Sequence, residues 1–346
     1  MNREEHLQQL TLPLLDWFRE NARVLPWRSQ STPYRVWVSE IMLQQTRVAA
    51  VIGYFNRFMS TLPDIKALAE VPEDELLKLW QGLGYYNRAR NLQKAARVLL
   101  EEYKGEMPAD YDAIRALPGI GDYTAGAIAS IAFGIPAPAV DGNVLRVMSR
   151  ILGDERDIAL QSTKDAVREM LLTVIPKQFP GQYNQALMEL GATVCLPNGA
   201  PLCEQCPVRE HCLACQQQRT GELPVKSGKK ARKVEERTVY LHFYQGKVAL
   251  RRRPDKGLLA GLWEYPNELE GTVPQGVEVR CKGKHIFTHI EWHMQAVVLN
   301  ADSEDLPEGW VWASKRDLDS KYAVPNAFRF AEQVVLDRLE KWEVAL

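Results

Sequence analysis

The stretch Leu117-Pro-Gly-Ile-Gly-Asp-Tyr-Thr-Ala125 decides the fold of this 346-residue chain. Gly119 and Gly121 permit backbone conformations and close approaches that a Cβ would block. Small residues follow them, which indicates a tight turn that feeds a closely packed helix. The free N–H groups at the start of such a helix suit a phosphate. A lone Gly-x-Gly would favour an ordinary turn between two helices, whereas the complete string favours a hairpin of helices that binds the DNA backbone.

A second informative string, Val140-Asp-Gly-Asn-Val-Leu-Arg146, begins about twenty residues later. Asp141 is expected to cap the N-terminus of the helix that follows, because a carboxylate there accepts the free N–H groups of the first turn. That structural role does not exclude a chemical one. A helix N-terminus keeps a capping carboxylate ionised and oriented.

The first two thirds of the chain have the hydrophobic periodicity of helices. Thr32-Pro33 is typical of an N-cap and first helical position, and predicts a helix over Tyr34–Thr46. A second helix is predicted over Asn87–Tyr103, and others follow Asp141 and precede Cys195. No long strand-like alternation occurs in this part, so we expect a mainly α region.

The last third begins with a polar segment and then changes its periodicity. Residues 217–237 resemble a linker, which serves either as a solvated spacer or as a contact to DNA phosphate. From Thr238 apolar residues alternate, and Gln245-Gly246 offers a turn, so we expect a hairpin that opens a smaller α+β domain over 238–346, closed by a helix over Phe328–Trp342. The basic residues of the linker are Lys226, Lys229, Lys230, Arg232 and Lys233.

The bulk composition is that of an ordinary globular chain with two or three domains at roughly 100–200 residues each. Hydrophobic residues make up 46% and charged residues 25%, and the formal net charge is −1. Any contact with nucleic acid must therefore come from local basic patches. No apolar run reaches the roughly 18 residues that span a bilayer, and the polar N-terminus predicts no secretion signal.

Five of the six cysteines fall between Cys195 and Cys215, which points to metal rather than to a dispersed disulfide framework. The first four have the spacing C-x7-C-x2-C-x5-C. Four thiolates in a short loop hold either tetrahedral zinc or a [4Fe–4S] cluster, and the spacing alone favours neither. Cys215 and Cys281 are interpreted as bystanders. The candidate ligands are Cys195, Cys203, Cys206 and Cys212.

The glycine hairpin followed by Asp141 resembles the helix-hairpin-helix superfamily of DNA glycosylases, and within it the MutY adenine DNA glycosylases. The resemblance extends from Leu25-Pro-Trp-Arg28 to Phe287-Thr-His289. Members flip a nucleotide out of the duplex into a pocket. The implied fold is a mainly helical catalytic region over 1–216 followed by a smaller α+β Nudix-like domain. Within that region the resemblance implies a six-helix domain with the hairpin over 28–134, and an iron–sulfur cluster domain formed by 1–27 and 135–216.

The resemblance also implies two catalytic carboxylates, which suits the cleavage of an N-glycosidic bond. Glu40 matches the catalytic acid that protonates adenine and then activates or positions water. Asp141 matches the group that either stabilises the sugar cation or traps it covalently. Tyr123 and Asn143 are expected to orient them. Bifunctional relatives carry a lysine where this chain has Tyr123, and a phenol cannot form a Schiff base. We therefore expect a monofunctional glycosylase.

Five further positions match residues of the family that contact DNA. Trp27 and Arg28 correspond to the adenine pocket, and Gln185 to the position that reads an adenine edge. Gln45 and Tyr85 match the side chains that wedge into the duplex, where insertion offsets the unstacking cost of about a few kcal/mol per flipped base. For Tyr85 an aromatic core residue is the alternative.

The family's cysteine pattern, C-x6-C-x2-C-x5-C, carries a [4Fe–4S] cluster, and this chain has one extra residue in the first gap. The gap, Leu196–Leu202, contains two prolines and a glycine and absorbs an insertion at small cost. The resemblance therefore implies a [4Fe–4S] cluster that shapes a basic loop near Arg209 against phosphate.

The C-terminal region lacks the Arg-Glu-x-x-Glu-Glu string with which hydrolytic Nudix domains hold magnesium, so a reader of DNA is expected. Phe287, Thr288 and His289 match the family's string that recognises 8-oxoguanine, with threonine in place of the usual serine. A strand with alternating polar residues is the alternative. The implied partner is double-stranded DNA with A:8-oxoguanine or A:G mispairs, bound by a monomer. The expected location is the bacterial cytoplasm at the nucleoid, with no membrane association.

Overall fold

The computed structural model describes residues 3–228 and 231–344, and these fold into two compact units. The first unit joins the residues up to Glu70 with Asn91–Gly228, and the second joins Val71–Arg90 with the residues that follow the gap. Lys229 and Lys230 of the basic segment lie outside the described residues. No helix within the described ranges is long and apolar enough to cross a bilayer.

The first unit is helical, which confirms the mainly α prediction. Two short 3₁₀ turns, Cys203–Gln205 and Arg209–His211, interrupt the cysteine loop. The helices of this unit are α1 (Arg3–Gln8), α2 (Thr11–Asn21), α3 (Pro26–Ser29), α4 (Pro33–Leu43), α5 (Val48–Thr61), α6 (Ile65–Glu70), α8 (Asn87–Glu102, which begins in the second unit), α9 (Tyr111–Ala116), α10 (Asp122–Phe133), α11 (Gly142–Leu152), α12 (Gln161–Val174), α13 (Pro180–Thr193) and α14 (Leu213–Gln216).

Local chemistry explains where α4 begins and ends. Thr32 caps the helix by accepting the backbone N–H of Arg35, as its sequence predicts. The helix stops at Leu43, three residues before the predicted end. Gln44 leaves helical geometry and Gln45 adopts a left-handed backbone, with φ of +58°, so the chain turns before α5.

The glycine hairpin joins α9 to α10 and confirms the predicted turn between two helices. Gly119 has φ of +77°, and a Cβ there would lie 2.6 Å from the Cβ of Asn91. Only glycine satisfies both conditions at low cost. Gly121 caps α10 with φ of −101° and has open space where a Cβ would point. The fold itself therefore requires glycine at the first position alone.

Close packing of α13 against α10 brings the central helices of the first unit together. A Cβ on Gly181 would lie 2.6 Å from the carbonyl oxygen of Ser130. In the same way, a Cβ on Gly191 would lie 2.6 Å from the Cβ of Asn143. These contacts fix α13 beside both α10 and the start of α11, where the candidate site is built.

The second unit is a seven-stranded sheet with the order β3-β2-β1-β6-β5, with β4 paired to β1 and β7 to β2. Strands β1 and β6 run parallel, and the other pairs are antiparallel. Trp292 and Phe328 are buried in its hydrophobic core. The elements are α7 (Glu73–Leu79), β1 (Lys233–Tyr244), β2 (Lys247–Arg252), β3 (Trp263–Glu264), β4 (Asn267–Leu269), β5 (Val279–Ile286), β6 (Ile290–Asn300), β7 (Trp310–Ala313), α15 (Lys315–Ser320) and α16 (Glu332–Val344).

The structure departs from the predicted boundaries in three places. β1 begins at Lys233, so the last residues of the segment 217–237 belong to a sheet, because they pair with β6. The closing helix starts at Glu332, after a 3₁₀ turn over Asn326–Ala331. Val71–Arg90, expected within the helical region 1–216, packs with the second unit instead.

Side-chain hydrogen bonds explain the placement of Val71–Arg90. The Lys78 ammonium donates to the carbonyl of Leu318 at 2.6 Å, and the Gln81 amide donates to that of Val324 at 2.8 Å. These bonds join residues more than 200 positions apart in sequence. No local sequence pattern predicts them.

Candidate active site

A cleft of about 860 Å³ opens in the first unit and gathers all of the predicted catalytic and adenine-pocket residues. Its size is that of a pocket for a small molecule or a single base. Helices α3, α4, α10 and α13 supply its walls, together with the N-terminus of α11. The predicted residues that line it are Trp27, Arg28, Glu40, Gln45, Tyr123, Asp141, Asn143 and Gln185.

Glu40 is a buried carboxyl group on α4, with 6% of the residue exposed. The Tyr123 hydroxyl donates a hydrogen bond to its Oε2. Burial raises the pKa of Glu40 to about 7; the Tyr123 hydrogen bond opposes that rise, the charge of Asp141 adds to it and the charge of Arg28 opposes it. A carboxyl group with this pKa holds a proton near neutral pH and can also give it up.

Asp141 caps α11, as its sequence predicts. Its Oδ1 accepts the backbone N–H of Val144 at 2.7 Å, and its Oδ2 accepts the side-chain amide of Asn143 at 2.8 Å. Burial raises the pKa of Asp141, while these two donors lower it. Both oxygens are thus held in fixed positions, which suits a carboxylate that must face a positive charge.

A chain of hydrogen bonds connects Asp141 to the cysteine loop. Asn143 accepts from the Arg146 guanidinium at 2.9 Å, and the same guanidinium donates to the carbonyls of Cys195 at 2.8 Å and Gly191 at 2.7 Å. The orientation of Asn143 therefore depends on the position of the first cysteine.

Arg28 and Gln185 meet at one wall of the cleft, where Arg28 Nε donates to Gln185 Oε1 at 3.1 Å. The Glu189 carboxylate accepts from Arg28 at 2.8 Å and from Arg23 at 2.6 and 3.0 Å. Trp27 lies beside them, buried edge-on to Phe55 with ring centroids 5.4 Å apart. The predicted adenine-pocket residues thus form one connected group.

Gln45 in the first unit and Tyr85 in the second unit each have a left-handed backbone conformation. Their φ angles are +58° and +47°, and both side chains are exposed. Left-handed backbone at a residue other than glycine costs about 1–2 kcal/mol and is often retained at functional positions. Tyr85 is 49% exposed, so the alternative of an aromatic core residue is wrong.

Five cysteines, Cys215 among them, line one small apolar cavity of about 20 Å³ in the first unit. Burial raises the pKa of Cys203, Cys206 and Cys212, and neighbouring thiols add to the rise, which reflects their closeness. Within residues 3–228 and 231–344 no three potential ligands converge on one ion position. A [4Fe–4S] cluster takes four thiolates, and the thiols gathered around this cavity are the donor set that it requires.

Phe287, Thr288 and His289 form the turn of the hairpin between β5 and β6, rather than part of a strand. Phe287 packs on the core with its ring 4.9 Å from that of Trp292, while Thr288 and His289 are exposed. Arg232 and Lys233 hold the turn by hydrogen bonds to the carbonyls of Phe287 and His289. The Thr288 hydroxyl lies 3.5 Å from that of Tyr85, which brings two predicted DNA contacts together.

Sequence reasoning missed Glu189, Arg23 and Arg146. A signal for Glu189 was present, since it lies one helical turn after Gln185 on the same face of α13. Its partner Arg23 is 166 positions away in sequence, so no local pattern connects the two. Arg146 has no sequence feature that distinguishes it from other arginines in helices. Only the fold shows that these side chains support the site.

Comparison with known protein families finds two matches. Residues 38–177 match the HhH-GPD superfamily of base excision DNA repair proteins, and residues 238–331 match the NUDIX domain. Among solved structures, a thermostable thymine-DNA glycosylase is 29% identical, with a TM-score of 0.55 over 62% of this chain and 98% of that one. A trapped covalent endonuclease III–DNA intermediate is 27% identical, with a TM-score of 0.54 over 63% and 99%. The helical hairpin and these matches define a helix-hairpin-helix DNA repair glycosylase.

Curated relatives narrow this class. The adenine DNA glycosylase of Mus musculus is 35% identical over 86% of this chain and 72% of its own. That of Homo sapiens is 37% identical over 91% and 72%, and that of Buchnera aphidicola subsp. Schizaphis graminum is 32% identical over 83% and 86%. The chain belongs to the adenine DNA glycosylase family, and is an enzyme of base excision repair that acts on DNA.

Proposed function

We propose that the enzyme excises adenine paired with 8-oxoguanine or guanine and leaves the DNA strand intact. The observation that carries the proposal is a pair of carboxyl groups at one cleft, the buried Glu40 and the partly buried Asp141. A substantial fraction of Glu40 is protonated at neutral pH because its pKa is about 7. Asp141 is fixed by two hydrogen-bond donors. The two groups therefore suit different steps of one reaction.

In the proposed reaction Glu40 donates its proton to a ring nitrogen of the flipped adenine. The bond between the base and the sugar then breaks, and its electron pair leaves with adenine. Asp141 stabilises the positive charge that develops on the sugar. The ionised Glu40 takes a proton from water as the water oxygen bonds to the sugar carbon. Tyr123 occupies Glu40 Oε2, which leaves Oε1 to carry the proton.

The remaining cleft residues are proposed to select and orient adenine. Gln185 offers an amide that pairs with an adenine edge, and Arg28 holds that amide in place. Trp27 supplies a rigid apolar wall. Gln45 and Tyr85, whose backbones are strained, are proposed as the side chains that enter the duplex. Gly121, which the fold itself leaves open, is proposed to let the hairpin backbone approach a phosphate.

We propose that Cys195, Cys203, Cys206 and Cys212 hold a [4Fe–4S] cluster. When bound, the cluster supplies four iron–thiolate bonds that order the loop bearing Arg209. An absorption band near roughly 410 nm, with four irons per chain, is the expected result for the purified protein. One zinc and no band would contradict it.

The second unit is proposed to read the base opposite adenine through the turn Phe287-Thr288-His289. Support comes from the exposure of Thr288 and His289 and from the closeness of Thr288 to Tyr85. The domain division proposed with this role is a helical region over 1–216, comprising 28–134 and the cluster domain of 1–27 and 135–216, and a reader domain over 238–346. Val71–Arg90 is the exception, because it packs with the second unit.

The experiment uses an end-labelled duplex with a single A:8-oxoguanine pair. An abasic site that breaks only after alkali is expected, because Tyr123 offers no amine. Lys164 and Lys226 lie on the cleft wall, so borohydride trapping is the control for an unexpected Schiff base. Strand breakage without alkali, with a trapped covalent complex, would contradict the monofunctional proposal. Removal of another base would contradict the substrate.

A further inference from the structure

Glu189 is the most completely paired carboxylate of the cleft, and the reaction above does not use it. Its side chain is 1% exposed. Burial alone would raise the pKa of Glu189, but the hydrogen bonds from Arg23 and Arg28 outweigh burial and lower the pKa to about 2. The residue is therefore an anion at neutral pH.

The Arg28 guanidinium is held on three sides. It donates to Glu189 at 2.8 Å, to Gln185 at 3.1 Å and to the backbone carbonyl of Arg23 at 3.1 Å. Removal of the Glu189 carboxylate would take away its only anionic partner in this set. Arg28 would then be free to turn toward Glu40, whose proton the reaction needs.

The local charge balance also predicts that Arg28 would favour ionisation of Glu40 more strongly without Glu189. Arg23 and Arg28 carry two positive charges, and Glu189 cancels one of them. The charge of Arg28 already favours ionisation of Glu40. Without Glu189 that influence would grow, because opposite charges at short range in a buried site stabilise the ionised form.

We propose that Glu189 is a positioning residue that fixes Arg28 against Gln185 and, by cancelling part of its charge, keeps Glu40 protonated at neutral pH. The inference rests on the proposed function, in which Glu40 is the acid. Glu189 itself exchanges no proton in the reaction.

Other charged or titratable groups also face Glu40. Tyr123 approaches from α10, Asp141 from the N-terminus of α11 and Arg28 from α3. Lys164 and Lys226 line the same cleft. Changing Glu189 or Arg23 leaves all five of these side chains in the protein, so a change in the acidity of Glu40 can be traced to the pair that was altered.

The test is the pH dependence of single-turnover adenine release for Glu189→Gln and Arg23→Gln, with DNA saturating. For the wild type, the rate falls as pH rises through about 7, because Glu40 loses its proton. Glu189→Gln adds net positive charge and moves this fall to lower pH, by roughly half to one pH unit. Arg23→Gln removes positive charge and moves it to higher pH. Glu189→Asp keeps the charge and restores the wild-type profile.

Glu169→Gln, which alters an exposed glutamate on α12, is the matched control and leaves the profile unchanged. A merely structural role for Glu189 would lower the rate by the same factor at every pH, and that result would overturn the inference. Shifts of the two variants in the same direction would also overturn it. If Glu189→Gln does not fold, the direction of the shift in Arg23→Gln still tests the inference. That variant is expected to fold because the Arg23 side chain is 37% exposed.

The results that would contradict the proposed reaction differ from those that would contradict only the role of Glu189. A wild-type enzyme that releases no adenine, or whose fall in rate near pH 7 persists in Glu40→Gln, would contradict the proposed reaction. A wild-type profile that depends on Glu40, with no opposite shifts in the two variants, would contradict only the role of Glu189.

Discussion

At the scale of single residues, the role proposed for Glu40 works against the stability of the fold. A carboxyl group exposed in the unfolded chain titrates near 4.5, whereas in the fold burial raises the pKa of Glu40 to about 7. The folded state therefore favours the protonated form. Below about pH 4.5 Glu40 is protonated in both the folded and the unfolded chain and does not reduce the free energy of unfolding. As pH rises through about 7 the folded protein must ionise a buried carboxyl group, and the free energy of unfolding falls.

Glu40→Gln is expected to raise the stability of the fold selectively at high pH. Glutamine keeps the hydrogen bond with Tyr123 but cannot ionise, so it avoids a cost of about 3 kcal/mol that Glu40 imposes above pH 7. The measurement is the melting temperature of both proteins at pH 5 and pH 8.5. A clear gain at pH 8.5 with little change at pH 5 is expected, and an equal change at both pH values would contradict it.

Thr288 is the residue through which opposite-base preference can be tested. Thr288→Ala removes a hydroxyl exposed at the β5–β6 turn. Loss of one hydrogen bond worth about 0.5–1.5 kcal/mol should reduce the preference for A:8-oxoguanine over A:G about two- to thirteenfold. Competition between the two duplexes measures the ratio. Ser303→Ala, also exposed in the second unit, serves as control, and an unchanged ratio in Thr288→Ala would remove this residue from the reader role.

At the scale of elements, the two glycines of the hairpin differ: the fold requires Gly119, whereas Gly121 is proposed to serve DNA binding. Gly119 needs its left-handed backbone and lies against Asn91, whereas Gly121 has ordinary extended geometry and open surroundings. The same two-glycine motif thus contains one residue whose conformation and surroundings require glycine and one with open space where a Cβ would point.

Gly119→Ala should destabilise the protein by at least about 1–2 kcal/mol, from backbone strain and the contact with Asn91. Gly121→Ala should change the free energy of unfolding by less than about 0.5 kcal/mol, yet weaken DNA binding. Chemical denaturation and a fluorescence-anisotropy titration with an abasic-analogue duplex give the two quantities. Equal stability losses in both variants, or unaffected binding in Gly121→Ala, would refute this division.

Elements that carry local signals could be predicted from the sequence. The Thr32 cap, the glycine hairpin, the Asp141 cap and the clustered cysteines each depend on a few adjacent residues. The group around Glu189 could not be predicted, because its hydrogen bonds join α13 to a segment 166 positions earlier. The placement of Val71–Arg90 escaped for the same reason, as did the β1 start at Lys233, which depends on pairing with β6.

At the scale of the whole molecule, the two units are not separated by one cut in the chain. Val71–Arg90 lies between helices of the first unit in sequence but packs with the second. Its bonds to Leu318, Val324 and Ala260 exist only when the C-terminal residues are present. Tyr85, the proposed wedge, lies in this same segment.

Truncation after Gly228 should therefore loosen Val71–Arg90 selectively. Amide hydrogen exchange within this segment is expected to accelerate at least about tenfold, while α10 and α11 remain protected. Because Tyr85 is in the loosened segment, the truncated enzyme should also lose preference for 8-oxoguanine over guanine. Exchange in Val71–Arg90 that matches the full chain would contradict the description of the second unit.

The most direct test of the central claim, excision of adenine by two carboxyl groups at one cleft, is single-turnover release of adenine from an A:8-oxoguanine duplex. The wild-type enzyme should release free adenine and leave an unbroken abasic strand. Glu40→Gln and Asp141→Asn should each slow release by about 10²–10⁴-fold, with the fold and duplex binding retained. Release of adenine at the wild-type rate by either folded variant would contradict the account.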